Sequence, residues 1–228
     1  MTPLGAEILF HLGPLAISGT VVTTWGVMLA LWLLSVALSR GLQLQASGLQ
    51  AAAEGVIGVI ESAIRQVLSA EQTRQVLPFV ATLWIYLVLA NLVGLIPGLH
   101  SPTGDLSATG ALALLVFFSV HWFGIRANGL RTYLHHYLTP TPLLLPFHLI
   151  SEVTRTVALA VRLFGNIMSL EMAALLILWV AGFLAPVPIL MLHIIEALVQ
   201  AYIFGMLALI YIAGGLQSQQ LRQEKEAP

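Results

Sequence analysis

The sequence predicts an all-α polytopic membrane protein with five membrane-spanning helices and one amphipathic surface helix. The last two spans form a long tilted hairpin. Three observations carry this reading. The chain of 228 residues is 58% hydrophobic and only 8% charged, against about 25% charged in soluble domains. Its apolar residues fall in runs long enough to cross a hydrocarbon core of about 30 Å, which takes about 20 helical residues. Its cations fall almost wholly on one side of those runs.

The first span covers 21–39 and is ended by Arg40; residues 1–20 precede it as an outer segment. That segment lacks the positively charged start of a secretory signal peptide, so insertion is expected to rely on the spans themselves. The second span covers 76–96 and stops at Pro97-Gly98, a helix-terminating pair. The third covers 106–125 and is ended by Arg126. The fourth and fifth, 146–183 and 189–216, are separated by Pro186 and Pro188, and a cytoplasmic tail, 217–228, follows. All of these segments belong to a single membrane domain.

The segment 45–70 differs in kind. Val56, Ile57, Ile60, Ile64, Val67 and Leu68 recur at helical spacing, while Glu54, Glu61 and Arg65 fall elsewhere. Such a helix lies on a membrane surface or packs on protein. With five spans, Arg40, Arg65, Arg74, Arg126, Arg131, Arg222 and Lys225 share one side, and the opposite loops, 100–105 and 182–188, contain no Lys or Arg. The positive-inside rule then places the N-terminus outside and the C-terminus in the cytoplasm.

The fourth span is too long to stand upright. From Pro146 to Gly182, at about 1.5 Å per residue, it would reach about 55 Å. Either Gly165 breaks it or it lies strongly tilted, and tilt is the reading adopted.

This helix carries the most informative residue, Arg162. An arginine at membrane depth costs at least about 2.5–3.5 kcal/mol on insertion scales, and it stays protonated. On a wheel of about 100° per residue, Arg155 lies about 20° from Arg162, Asn166 and His148 lie about 40° away, and Glu171 falls on the opposite face. A local Arg162–Glu171 ion pair is excluded by that geometry. On the following helix His193, Glu196 and Gln200, at i, i+3 and i+7, share a face. The hairpin therefore presents two polar zones, one fixed positive and one titratable. Glu171, His193 and Glu196 can gain and lose protons, as a relay requires; Arg162 cannot, but it can favour the ionised form of a passing carboxylate.

Blander roles stand beside these. Arg162 could neutralise a buried carboxylate. Asn166 and Gln200 could be interhelical glue, and Arg155 reads as snorkelling to phosphates. His135, His136 and His148 read as interfacial, and Asn91 serves equally as packing or as channel lining. His193 and Glu196 offer two ligands to a metal with no evident third, so no metal site and no cofactor are expected. Cysteine is absent, no soluble catalytic motif occurs, and a net charge of −1 offers no basic patch for nucleic acid.

The residues resemble those of the membrane stator subunit of F-type ATP synthases. Arg162-Leu163-Phe164-Gly165-Asn166, with Glu171 beyond it, matches that family's most specific motif. Gln200-Ala201-Tyr202-Ile203-Phe204, with His193 before it, matches a second, and the stretch from Asn91 to Leu95-Ile96-Pro97-Gly98 is similar too. The resemblance covers about residues 20–216. It implies a non-catalytic subunit of a bacterial inner membrane, set in the lipid bilayer beside the rotating c-subunit ring and joined to b-type peripheral stalk subunits. It further implies that Arg162 meets the ring carboxylates. One outer half-channel would be lined by Glu171, His193 and Glu196 with Asn91 nearby, Asn166 and Gln200 would also lie along the ion pathway, and a second half-channel would open inward. Glu196 and the Thr154-Arg155-Thr156 approach depart from the commonest pattern and resemble the variant N-type branch, some members of which are thought to move sodium. The competing class is a self-contained secondary transporter or channel. Such proteins often carry inverted repeats and paired broken helices, which this chain lacks.

Overall fold

The computed structural model describes residues 8–12, 15–40, 48–96, 99–129, 145–182 and 187–217. Among them are six α-helices: α1 (Gly19–Arg40), α2 (Gly48–Arg65), α3 (Ala70–Val93), α4 (Leu106–Asn128), α5 (Leu145–Ala181) and α6 (Val187–Gln217). All but α2 are long and apolar enough to cross a membrane. Arg131, His135, His136, the Pro97-Gly98 stop, Pro186 and the tail from 218 onward lie outside the described residues.

Among the described residues, the N-terminal segment departs from an all-helical chain. Strands β1 (Ile8–Leu12) and β2 (Leu15–Ser18) pair antiparallel, with an irregularity between Ile8 and Phe10. Two strands of this length give no extended alternating pattern in the sequence, so the hairpin was not anticipated.

Helix α3 starts at Ala70, six residues before the expected 76. Ser69 caps it: its Oγ accepts from the Gln72 N–H at 3.4 Å, and Gln72 Oε1 accepts from the Ser69 N–H at 3.3 Å. This reciprocal box satisfies two otherwise orphaned donors and marks the start more sharply than hydropathy does. Pro78 sits inside α3, as membrane helices tolerate when neighbours support the backbone.

Helix α2 divides its apolar residues. Ile60 and Ile64, with Leu68 just beyond, are buried together with Val76 and Val80 of α3, while Val56, Ile57 and Val59 are exposed. Its Arg65–Glu61 pair, 2.6 Å, is solvent-exposed, a geometry that contributes about 0.3–0.5 kcal/mol.

The core lies between α3, α4, α5 and α6. Val80 and Leu87, Val116, Leu163 and Ile167, and Phe204 with Leu209 and Ile212 meet there. In lipid such helices associate through close packing and interhelical hydrogen bonds, because lipid tails are as apolar as leucine. Helix α6 supplies the close approach with Ala197, Ala201 and Gly205 at four-residue spacing, all buried. An added Cβ at Gly205 would stand 2.6 Å from Trp84 Nε1, and Trp84 in turn stacks on Tyr202 with ring centroids 5.7 Å apart. By contrast α1 buries only Val27 and exposes Trp25, Met28, Leu29, Trp32, Leu33 and Leu34. It is a peripheral span.

Helix α5 runs 37 residues without interruption. Gly165 is helical, and Ser169 Oγ donates to its carbonyl at 2.6 Å. Of the two ways to fit so long a helix, a break at Gly165 is therefore removed. The helix ends where Gly182, at φ +83, donates its N–H to the Leu178 carbonyl, a left-handed cap that glycine adopts without steric cost.

Candidate functional site

Glu171 lies in the half of α5 nearer its C-terminal end and is half-buried. It reaches across to the connection between α3 and α4, where its Oε1 accepts the backbone N–H of Ser101 at 3.2 Å. That connection is shaped by a short 3₁₀ turn, Pro102–Gly104, and by Asp105, the N-cap of α4. Asp105 Oδ1 accepts the Ser107 N–H at 2.9 Å, and its Oδ2 accepts the Thr20 hydroxyl at 2.9 Å, tying α1 to the loop. Burial alone would raise the Asp105 carboxyl pKa, but the hydrogen bonds from Ser107 and Thr20 outweigh it and hold the group below its ordinary value.

Behind Ser101 runs a buried polar network. Ser101 Oγ lies 2.9 Å from the Ala90 carbonyl, as its donor, and 2.6 Å from Thr103 Oγ1. Thr103 Oγ1 donates to Asn91 Oδ1 at 2.6 Å, and Asn91 Nδ2 donates to the Ala197 carbonyl of α6 at 3.1 Å. The Asn91 carbonyl lies 3.2 Å from His193 Nε2. Asn91 and Thr103 are fully buried, and His193 and Ser101 are each 3% exposed. Buried networks of this kind hold a unique geometry only when their members are satisfied. One network thus joins Glu171, Asn91 and His193 through four elements. Glu196 sits half-buried one turn beyond His193.

The second zone is built differently. Asn166 Nδ2 donates to Gln200 Oε1 at 2.6 Å, linking α5 to α6. Gln200 is fully buried, and its Nε2 has no hydrogen-bond partner among the described residues. Thus His193 and Gln200, expected to act from one face, serve two different contacts. Arg162, one turn before Asn166, is exposed and makes no hydrogen bond or ion pair among the described residues. The Arg155 guanidinium lies 5.1 Å from the centroid of the Tyr211 ring, against the α6 side. A cation over an aromatic face contributes about 0.5–1 kcal/mol at an exposed site, which offsets part of the pull toward phosphates.

Ser101 and Thr103 escaped the sequence reading. The signal was present, two small hydroxyl residues in the short connection Ser101-Pro102-Thr103-Gly104-Asp105, but nothing in linear order links that loop to a carboxylate 70 residues away.

With this geometry in place, comparison with known proteins is decisive. A family profile described as the ATP synthase A chain matches residues 21–213. The chain belongs to that family. It is 64% identical over 217 residues to ATP synthase subunit a 2 of Pelobacter propionicus, covering 95% of each chain. It is 66% identical over 214 residues to ATP synthase subunit a 1 of Hahella chejuensis, covering 94% of this chain and 91% of the relative. It is 56% identical over 223 residues to ATP synthase subunit a of Legionella pneumophila strain Philadelphia 1, covering 97% and 96%. As a member of this family the protein is a non-catalytic, multi-pass membrane subunit of the F-type ATP synthase, an ion-translocating stator component that works among membrane-embedded partner subunits. Nothing found favours a self-contained transporter.

Proposed function

We propose that ions reach and leave a rotating c-subunit ring through two half-channels of this chain, with Arg162 between them. The observation that carries the proposal is the exposed guanidinium of Arg162, without a partner among the described residues, on the helix face opposite Glu171. A permanent cation that costs several kcal/mol at depth and has no partner among the described residues fits a partner on another polypeptide. That partner is an ionised ring carboxylate, which Arg162 attracts and holds ionised. Gln200 Nε2, buried and unpaired one helix away, is a second donor for the same contact.

The outer half-channel is assigned to Glu171, His193 and Glu196, with Asn91 as the support that joins their helices. Asn166 and Gln200 form the septum between this path and the ring face. The inner half-channel opens near the start of α5. Each unit charge crossing 100 mV yields about 2.3 kcal/mol, and the ring turns only when its carboxylates are neutral away from Arg162. The charge distribution supports a bacterial inner-membrane topology with the N-terminus outside and the C-terminus cytoplasmic, in contact with b-type peripheral stalk subunits.

The test is Arg162→Ala in the intact complex. Ion-driven ATP synthesis is expected to vanish while the ring and stalk subunits still copurify. Coupled synthesis at the parental rate would remove Arg162 from the mechanism.

A further inference from the structure

The carboxylate of Glu171 is closed in by bare backbone on two sides. A Cβ built on Gly94, the cap of α3, would stand 3.1 Å from Oε1, and one built on Gly104, in the 3₁₀ turn, 3.2 Å from Oε2. For Gly104 the three nearest atoms all belong to the Glu171 carboxyl group. Neither position needs glycine for its backbone. Gly94 is helical, with φ −63 and ψ −11, and the glycines of positive φ among the described residues are Gly129 and Gly182. What these two glycines supply is therefore space, and only enough for the carboxyl group itself.

The Ser101 N–H closes the cradle against Oε1 at 3.2 Å. Of Ser101 it is the backbone N–H, not the hydroxyl, that meets the carboxylate; the Ser101 and Thr103 hydroxyls contact the Ala90 carbonyl, each other and Asn91 Oδ1. A hard cation the size of sodium or calcium is held by a shell of several oxygens at about 2.3–2.6 Å. A proton needs one oxygen and no shell.

We propose that Gly94 and Gly104 are specificity-determining residues: their backbone cradle lets Glu171 carry a bare proton and leaves no room there for a sodium ion with its ligands. This rests on the assignment of Glu171 to the ion path. It also bears on the N-type resemblance, because it makes the Glu171 step protonic.

The experiment uses the whole ATP synthase in liposomes, with proton uptake followed by a pH-sensitive dye and sodium uptake by a radioactive tracer. In the parent, ATP-driven proton uptake is expected to run at the same rate in sodium-depleted buffer and in sodium-rich buffer. Gly104→Ala is expected to slow it several-fold with assembly intact, because the methyl group displaces the carboxylate. Adding Glu171→Asp, one methylene shorter, is expected to restore most of the lost rate, which a merely structural defect at residue 104 would not permit. Should Gly104→Ala fail to assemble, Gly94→Ala, whose added methyl also stands 3.2 Å from Ser101 Cβ, is expected to slow pumping and to be rescued in part by Glu171→Asp. ATP-driven sodium uptake that Glu171→Gln abolishes would overturn the proposal, as would a glycine variant that pumps like the parent or is not rescued by aspartate. A Glu171→Gln complex that still pumps protons normally would instead remove Glu171 from the path, and with it the outer half-channel assigned above.

Discussion

At Glu171 the α5–α6 hairpin is covered by α3 and the 99–105 loop, and a network of hydrogen bonds runs from the Ser101 N–H to His193. On the other face of α5, Arg162 stands exposed with no partner among the described residues. Both are ionisable groups in apolar helices, and both would be costly alone. The chain resolves the cost for Glu171 internally and leaves that of Arg162 open. A site completed within one polypeptide holds its geometry at rest, whereas one left incomplete requires something brought to it. This is the arrangement expected of a fixed ion entry beside a moving contact.

The comparison can be broken most severely at the cation. Arg162→Lys keeps the charge but loses the planar, delocalised fork; we expect at least a tenfold loss of ATP-driven proton pumping, about 1.4 kcal/mol or more in rate terms. Arg162 makes no hydrogen bond or ion pair among the described residues, so the thermal unfolding temperature of the purified subunit should not move. A Lys variant that pumps normally would mean that charge alone suffices.

The covered side should behave in the opposite way. Gly205→Ala drives a methyl group into Trp84, and overpacking of this kind costs about 1–3 kcal/mol. Thermal unfolding should shift downward, and Trp84→Phe should recover part of the loss. Asn91→Ala removes a side chain that both accepts from Thr103 and donates to the Ala197 carbonyl. At about 0.6 kcal/mol per interhelical hydrogen bond in a membrane, stability should fall by about 1 kcal/mol, with proton pumping slowed as α6 loses its side-chain tie to α3 at Ala197. Unchanged stability would show that the network is not what holds the outer site.

The smallest effect is expected at Asp105. Its carboxyl pKa is lower in the folded protein than in the unfolded chain, so its stabilisation is fully present above the unfolded value and is lost as pH falls through the folded one. Thermal stability of the parent should decline below about pH 4. Asp105→Asn, which still caps α4, should flatten that part of the profile while changing little at neutral pH.

Much of the architecture was readable in the linear chain, for a reason specific to lipid. Every backbone group in the bilayer must bond internally, so an apolar run of sufficient length has few alternatives to a helix. The opposition of Arg162 and Glu171 follows from helical period alone. The start of α3 was missed because hydropathy changes gradually, whereas a Ser69–Gln72 cap acts at one residue. The contact of Arg155 with the Tyr211 ring is not legible in the sequence because the two residues lie 56 positions apart on different helices. Ser101 and Thr103 were overlooked for the same reason, as polar residues in a connecting loop.

What the sequence by itself determined is the membrane class, the spans, the two polar faces of the long helix and the residues able to carry charge at depth. These are consequences of local chemistry, namely transfer cost, helical period and fixed protonation. Only the tertiary structure decided which of those residues meet. It joined Glu171, Asn91 and His193 through the loop of Ser101 and Thr103, paired Asn166 with Gln200, pressed Gly94 and Gly104 against one carboxylate and left Arg162 alone. Such pairings depend on how close two helices can come, and that is settled by the side chains between them, such as Gly205 against Trp84.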